Sequence, residues 1–432
     1  MSEPVGRPPL RVEQALRLLP DVEALAPLRA FLISTSRPEQ RDAWAPSQPY
    51  RTVGKRYLQP GELRRQVPEA LSRVTAHLSA LYQAVVEALE GEQRGDLGAA
   101  VRALLTAGER EQSVGRFGQA RAWFDHALAR SEELRDRRPE IETLRALGYL
   151  DLAVGRYEDG ARRFQRSLVL AEAELDQEGI VLACLGLGHV ARAQGAWIGA
   201  EAWYTRGLQL GAGDQLRTAQ LQHRLGDVAR RRGDLRTAGA RLRQALDVFR
   251  SLDRFEEVAR VLNSQGQLEV DEGRPAEALA AYRDALTALR RGAGDPSLEM
   301  TTRVNIATLQ LETDHWLEGE DEIRRGEELA IAHNLTRQLA QLYVLLGRLR
   351  GRQGDEDGFV FFEKAIELCR GLEASPRLEG EIYHAYGAFR ARLGEREEAR
   401  VYLDRAKQIY ESLGDAFERR RVGAALEQLP PA

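Results

Sequence analysis

The sequence predicts an all-α chain, an array of about eight helix–turn–helix units, and three observations carry that prediction. Leu221 to Leu252 reads as a helix, a glycine turn and a second helix. Glycines seven residues apart recur as pairs: Gly108 and Gly115, Gly148 and Gly155, Gly188 and Gly195, Gly226 and Gly233, Gly266 and Gly273, Gly347 and Gly354, Gly387 and Gly394. Large and small residues then follow each turn at fixed offsets.

The chain opens with a proline-rich stretch, residues 1–9, expected to be loose. From Leu10 to Ile33, Val12, Leu16, Leu19, Val22, Leu25 and Leu28 recur every three or four positions, one side of a helix. Pro20 and Pro27 each remove a backbone donor, so two short helices or one kinked helix are expected. Residues 34–61 show neither helical nor strand period, carry four prolines and are long for a connection. They read either as a loop pinned by Trp44, Tyr50 and Tyr57, or as a partner-binding arm. Glu62 to Glu90 is a long amphipathic helix whose stripe (Leu63, Val67, Leu71, Val74, Leu78, Leu81, Val85, Leu89) resembles a heptad seam. It either packs on the first repeat or makes a dimer through 62–90. Gly91 to Leu97 is expected to close this N-terminal helical segment, residues 1–95.

The repeats occupy residues 96–414. Each first glycine falls inside a helix, where it costs about 1 kcal/mol relative to alanine. Packing must offset that penalty, so a partner helix is expected to cross closely there. Each second glycine ends the helix, where a left-handed residue caps it without a Cβ clash. Between residues 273 and 354 the pair becomes Ala307 and Asp314 with the same gap, and aspartate tolerates the left-handed conformation better than most residues. A bulky residue comes two after the turn (Phe117, Tyr157, Trp197, Leu235, Trp316), and a small one often five after it. An apolar one comes nine after (Phe124, Phe164, Tyr204, Leu242, Tyr282, Ile323, Leu403), and another small one twelve after. The seventh unit reaches Phe362 and Ala365 one residue early, a shortened turn. Residues 415–432 form a capping helix and tail, with Phe417, Val422, Leu426 and Leu429 on the helix, because an array needs its last apolar face covered.

Composition narrows the function. The 432 residues are 43% hydrophobic and 30% charged with net charge −4, so no global field draws the chain to nucleic acid or anionic lipid. Only Lys55, Lys364 and Lys407 are lysines, which leaves 59 arginines. No run of apolar residues reaches membrane-spanning length, and the N-terminus lacks a signal-peptide core. A cytoplasmic protein with no membrane or nucleic-acid partner is expected. Cys184 and Cys369 both fall in predicted helices far apart and form no disulfide framework. The seven histidines make neither HExxH nor a Cys/His cluster, and no GxSxG or phosphate loop occurs. Gly186 to Ala191 mimics a dinucleotide fingerprint, but no strand precedes it and the repeat already claims Gly188. No catalytic residue, metal site or cofactor is predicted.

The glycine pair, then aromatic, alanine, aromatic and alanine at these offsets, resembles the tetratricopeptide repeat (TPR) family over about residues 99–413. The period near 40 residues is longer than the family's commoner 34, and the closing proline is mostly missing. That looks like the long-repeat branch of bacterial TPR scaffolds and regulators. The Asn that follows Leu-Gly in Leu-Gly-Asn-type scaffolds is here Tyr149, Asp227 and Arg348, so their peptide-gripping asparagines are not carried over. The resemblance implies a right-handed α-solenoid whose first helices line a concave groove. The groove residues are then His189, Arg192, His223, Asp227, Arg230, Arg231, Arg260, Asn263, Gln267, Asn305, Arg348 and Arg352, with Thr308 and His384. Guanidinium groups pair bidentately with carboxylates, and amides bond extended backbone, so the partner is expected to be an acidic polypeptide segment. An alternative role is open for Arg192, Arg230, Arg231, Arg352 and Arg392, because cations in a helix's last turn complement its dipole. The function expected is a non-enzymatic interaction scaffold. The alternative is a peptide-responsive regulator whose N-terminal helices are coupled to the groove.

Overall fold

In the computed structural model the described residues are 76–211, 213–333, 335–352, 358–372 and 376–429. The expectations for residues 1–75, the loop at 34–61 among them, and for Gly354 lie outside the described residues. Among those described there are eighteen α-helices and no strand. Contacts divide the chain into two units, one ending at Leu150 and one beginning at Asp151.

The first unit holds α1 (Ala76–Arg94), α2 (Leu97–Ser113), α3 (Phe117–Ser131) and most of α4 (Arg138–Ala153). Helix α1 runs past Glu90, its expected end, to Arg94, and α2 passes so near that a Cβ on Gly91 would lie 2.8 Å from the Ala100 nitrogen. The turn comes at Gly95, at φ 72, and Asp96 then caps α2 by accepting from the Ala99 N–H at 3.0 Å. Leu81, Val85 and Leu89 are buried within the chain, which removes them from any dimer seam. The stripe residues from Leu63 to Val74, and the Leu78 side chain, lie outside the described residues. Ala120 and Phe124 of α3 pack on Leu147 and Leu150 of α4.

The second unit holds α5 (Tyr157–Ala173), α6 (Gln177–Ala193), α7 (Trp197–Leu210), α8 (Gln215–Arg231), α9 (Leu235–Ser251), α10 (Phe255–Asp271) and α11 (Pro275–Arg291). It continues with α12 (Pro296–Glu312), α13 (Trp316–Ala332), α14 (Thr336–Arg352), α15 (Gly358–Arg370), α16 (Pro376–Arg392), α17 (Arg396–Ser412) and α18 (Ala416–Glu427). Each even-numbered helix from α6 to α16 packs against the next, and neighbouring pairs share a core. One cluster runs unbroken from Ala219 through Leu242, Phe249, Leu262 and Leu289 to Leu298. This is a TPR-like α-solenoid, built from the predicted helix pairs.

The glycine rule has the expected cause. A Cβ on Gly226 would fall 2.9 Å from Leu242, on Gly347 2.6 Å from Phe362, and on Gly387 2.8 Å from Leu403. Each partner lies nine residues after its turn glycine, save Phe362, which takes the early register of the seventh unit. Asp314, in place of a turn glycine, sits at φ 61. In that sixth unit the close approach moves to Gly319 of α13, where a Cβ would meet Leu311 at 2.7 Å.

One feature has no counterpart in the periodicity: the second unit closes on itself. A Cβ on Gly155 would lie 2.9 Å from Leu413 and 3.0 Å from Pro376. Arg377, on the first turn of α16, donates to the Ala193 carbonyl at 3.0 Å and pairs with Asp415 at 3.0 Å. Phe417 meets the Trp197 ring edge-on at 6.5 Å.

Candidate peptide-binding groove

The polar residues expected in the groove sit on first helices at matching heights, because the 40-residue period repeats each helix in register. What surrounds them differs from helix to helix. His223 of α8 is buried, and its Nε2 lies 2.9 Å from the Ser264 hydroxyl of α10. The same nitrogen is 3.7 Å from Asp227, and Arg224 approaches Asp227 at 3.8 Å. Asn263 of α10 is also buried and donates to the Thr302 hydroxyl of α12 at 2.7 Å and to the Ala259 carbonyl at 3.1 Å. Its oxygen accepts from the Asn305 amide at 3.2 Å. Hydrogen bonds thus step from α8 to α10 to α12, each crossing a repeat boundary.

The arginines divide into two groups. Arg230 donates to Asp271 at 2.6 Å and to Gln267 at 2.9 Å, and Arg260 donates to Asp295 at 2.9 Å. These two tie neighbouring first helices together, a role distinct from both the dipole and the ligand roles weighed from sequence. Arg231, Arg348 and Arg392 are exposed. Although both keep solvent contact, the packed chain around them partly desolvates their guanidiniums: that and the neighbouring Arg230 lower Arg231, against the charges of Asp271 and Glu418, and desolvation and then Arg421 lower Arg348. Arg352 ends α14, and its side chain lies outside the described residues.

Burial keeps His189, His223 and His384 neutral. Burial, with the charges of Arg224 and Arg192 added, holds His189 well below its ordinary value. Burial pushes His223 down to about 4, partly opposed by Asp227. His384 is also near 4, through burial and the charges of Arg421 and Arg348. Burial would raise Asp227, but His223, Arg224 and the Ser264 hydroxyl outweigh it and hold the carboxyl below its usual range. His189 stacks edge-on against Tyr204 at 5.8 Å. Neutral rings and amides offer both donors and acceptors, which suits peptide backbone, and the exposed guanidiniums suit carboxylates.

Several partners escaped the sequence reading: Ser264, Thr302, Asp271, Asp295, Glu418 and Arg421. Four carried a usable signal. Ser264 lies 41 residues after His223, Thr302 39 after Asn263, Asp271 41 after Arg230, and Asp295 35 after Arg260. Reading each first helix against the next would have paired them. Asp96, Asp176, Asp214 and Asp295 carry another signal, since each caps a first helix by accepting from the N–H three residues on.

Among the described residues no three His, Cys, Asp or Glu side chains converge as a metal group. Burial pushes the Cys184 and Cys369 thiols up to about 11, so both stay protonated at neutral pH. No described helix is long and apolar enough to cross a membrane.

No family model matches the chain, and no curated protein does. Solved structures do. The Rap conjugation gene regulator of the plasmid pLS20, in complex with the Phr peptide, superposes with TM-score 0.51 at 14% identity, covering 85% of this chain and 92% of that one. Aspartyl phosphate phosphatase F from Bacillus subtilis superposes with TM-score 0.51 at 11% identity, covering 72% of this chain and 88% of that one. At such identities the likeness is one of architecture. The chain shares with these proteins a TPR-type helical-repeat fold.

Proposed function

We propose that this chain is a non-enzymatic interaction protein that takes an extended segment of a partner polypeptide into the groove of its first helices. The observation that carries the reading is the polar row from His223 through Asn263 to Asn305. Hydrogen bonds to the neighbouring first helix, His223 with Ser264 and Asn263 with Thr302 and Asn305, hold these side chains in place, so little side-chain entropy remains to be lost on binding. Arg231 and Arg348, exposed on the first helices α8 and α14, supply the preference for an acidic partner. The fold match to a regulator solved with a peptide supports the same reading.

The test is affinity capture from the native cell with the wild-type chain and with Arg231→Glu/Arg348→Glu. A dominant partner retained by the wild type and lost by the folded variant is expected. Equal retention by both would remove the groove from the account. The second reading, a peptide-responsive regulator, is supported by the same regulator match. It predicts that amide exchange within residues 1–95 changes when the peptide is added, and unchanged exchange there counts against it.

A further inference from the structure

The seam at which the second unit closes on itself holds a cavity of about 410 Å³. That is ample for a small molecule and far beyond the space of one water. Val154 reaches it from the turn after α4, and the rest of its lining comes from α15, Leu372 and the first half of α16. The two sides meet closely beside it: a Cβ on Gly155 would lie 3.0 Å from Pro376, itself a lining residue. Arg377, the next residue, holds the seam through the Ala193 carbonyl and Asp415, each at 3.0 Å. None of the lining residues is a groove residue.

The lining divides by chemistry. Val154, Cys369 and Ile382 are buried, with Ile366 and Leu372 half-buried beside them, and together they form an apolar wall. Arg370, Glu379 and Tyr383 supply the polar part. Arg370 ends α15, is exposed and pairs with no carboxylate among the described residues. Glu379 is half-buried and likewise makes no ion pair among them. Tyr383 follows Glu379 by one helical turn, so ring and carboxylate share a face of α16. A carboxylate beside an aromatic ring suits an ammonium group, and an unpaired guanidinium suits a carboxylate. Both charges beside an apolar wall fit a molecule with the same three parts.

We propose that this cavity is a ligand site, separate from the groove, for a small zwitterion with an apolar side chain, an apolar amino acid being the simplest. Glu379 takes the ammonium, Arg370 the carboxylate, and the wall from Val154 to Ile382 the side chain. The wall is complete only while Val154 meets α15 and α16, so the ligand binds the closed form of the second unit. Binding and closure are therefore linked. Opening the seam lowers the apparent affinity by the fraction of molecules left closed, and the ligand in turn stabilises the closed form.

The test titrates L-leucine and L-phenylalanine into the full chain by calorimetry. Saturable binding of at least one is expected, and no saturable binding of either overturns the proposal. Glu379→Gln and Arg370→Gln each remove one charge-assisted contact and should weaken binding at least about tenfold. Ile366→Trp fills the cavity and should abolish binding. Binding that survives in an Ile366→Trp chain with wild-type helical circular dichroism places the ligand elsewhere and overturns the proposal. Two analogues of L-phenylalanine are read on the wild type, where folding is not in question. 2-Phenylethylamine lacks the carboxylate and 3-phenylpropionate lacks the ammonium, and each should bind at least about tenfold more weakly. Equal affinity for either analogue overturns the zwitterion assignment. Arg377→Gln touches the seam but not the cavity lining, and should weaken binding about fivefold or more. Unchanged affinity there overturns the link between ligand and closure.

Discussion

Gly226 of α8 and Leu242 of α9 share the space of one side chain: a Cβ on the glycine would sit 2.9 Å from the leucine Cδ2. Leu242 is fully buried, so it has little room to retreat. Gly226→Ala gains about 1 kcal/mol of helix propensity and loses about 1–3 kcal/mol to overpacking. A lower melting temperature by circular dichroism is expected. Gly423, inside α18, meets nothing within 4 Å. Gly423→Ala should therefore keep the propensity gain without the clash and leave the melting temperature unchanged or higher.

Leu175 follows the end of α5 in the turn and sits at φ 54 with 85% of its surface exposed. It occupies the left-handed region without burying its side chain in return. Leu175→Gly should stabilise the chain by about 1 kcal/mol, since a left-handed leucine is strained by about that much. Thermal melting of the variant beside the wild type checks this, and a drop in melting temperature would refute it.

Asn263 holds α10 to α12 through Thr302 and Asn305. Asn263→Ala leaves buried polar groups without their partner, which costs about 1–3 kcal/mol. Amide exchange should quicken first in α10 and α12, while α16 and α17 stay as they are. Uniform quickening across the chain would contradict a role confined to that boundary.

Stability should fall with acid through the buried histidines. His223 has a folded-state pKa near 4, below its ordinary 6.5, so the unfolded chain takes up the proton first as pH falls. The stabilisation is complete above pH 6.5 and is lost between 6.5 and 4, by up to about 3 kcal/mol for this group. Asp227 loses its own contribution only below its usual value of 3.8, outside that window. Melting temperatures of wild type and His223→Gln measured from pH 7.5 to 4.5 should converge as the pH drops. Parallel curves would show that His223 does not titrate as described.

The repeats were legible in the sequence because their physics is local. A glycine that admits Tyr282 or Leu403 onto a helix, and a turn that needs positive φ, recur every 40 residues. Asp314 was readable for the same reason. The end of α1 was read as Glu90 rather than Arg94 because Gly91 looks like a stop, and its close neighbour, Ala100 of the following helix, does not stand at a repeat offset. The spacing of one repeat could have paired Arg230 with Asp271, 41 residues on, but nothing in it shows that Arg231 beside it stays exposed. The closure was hidden altogether. Arg377 and Ala193 are 184 residues apart, and no period links them.

The most direct test of the central claim is site-specific photocrosslinking with a benzophenone side chain placed at Thr308 or at Leu317. Thr308 lies on the first helix α12 among the groove positions, and Leu317 is 81% exposed on the second helix α13. The account predicts that the partner crosslinks from position 308 and not from 317. Crosslinks from 317 alone would place the partner on the second helices and contradict a groove-binding protein.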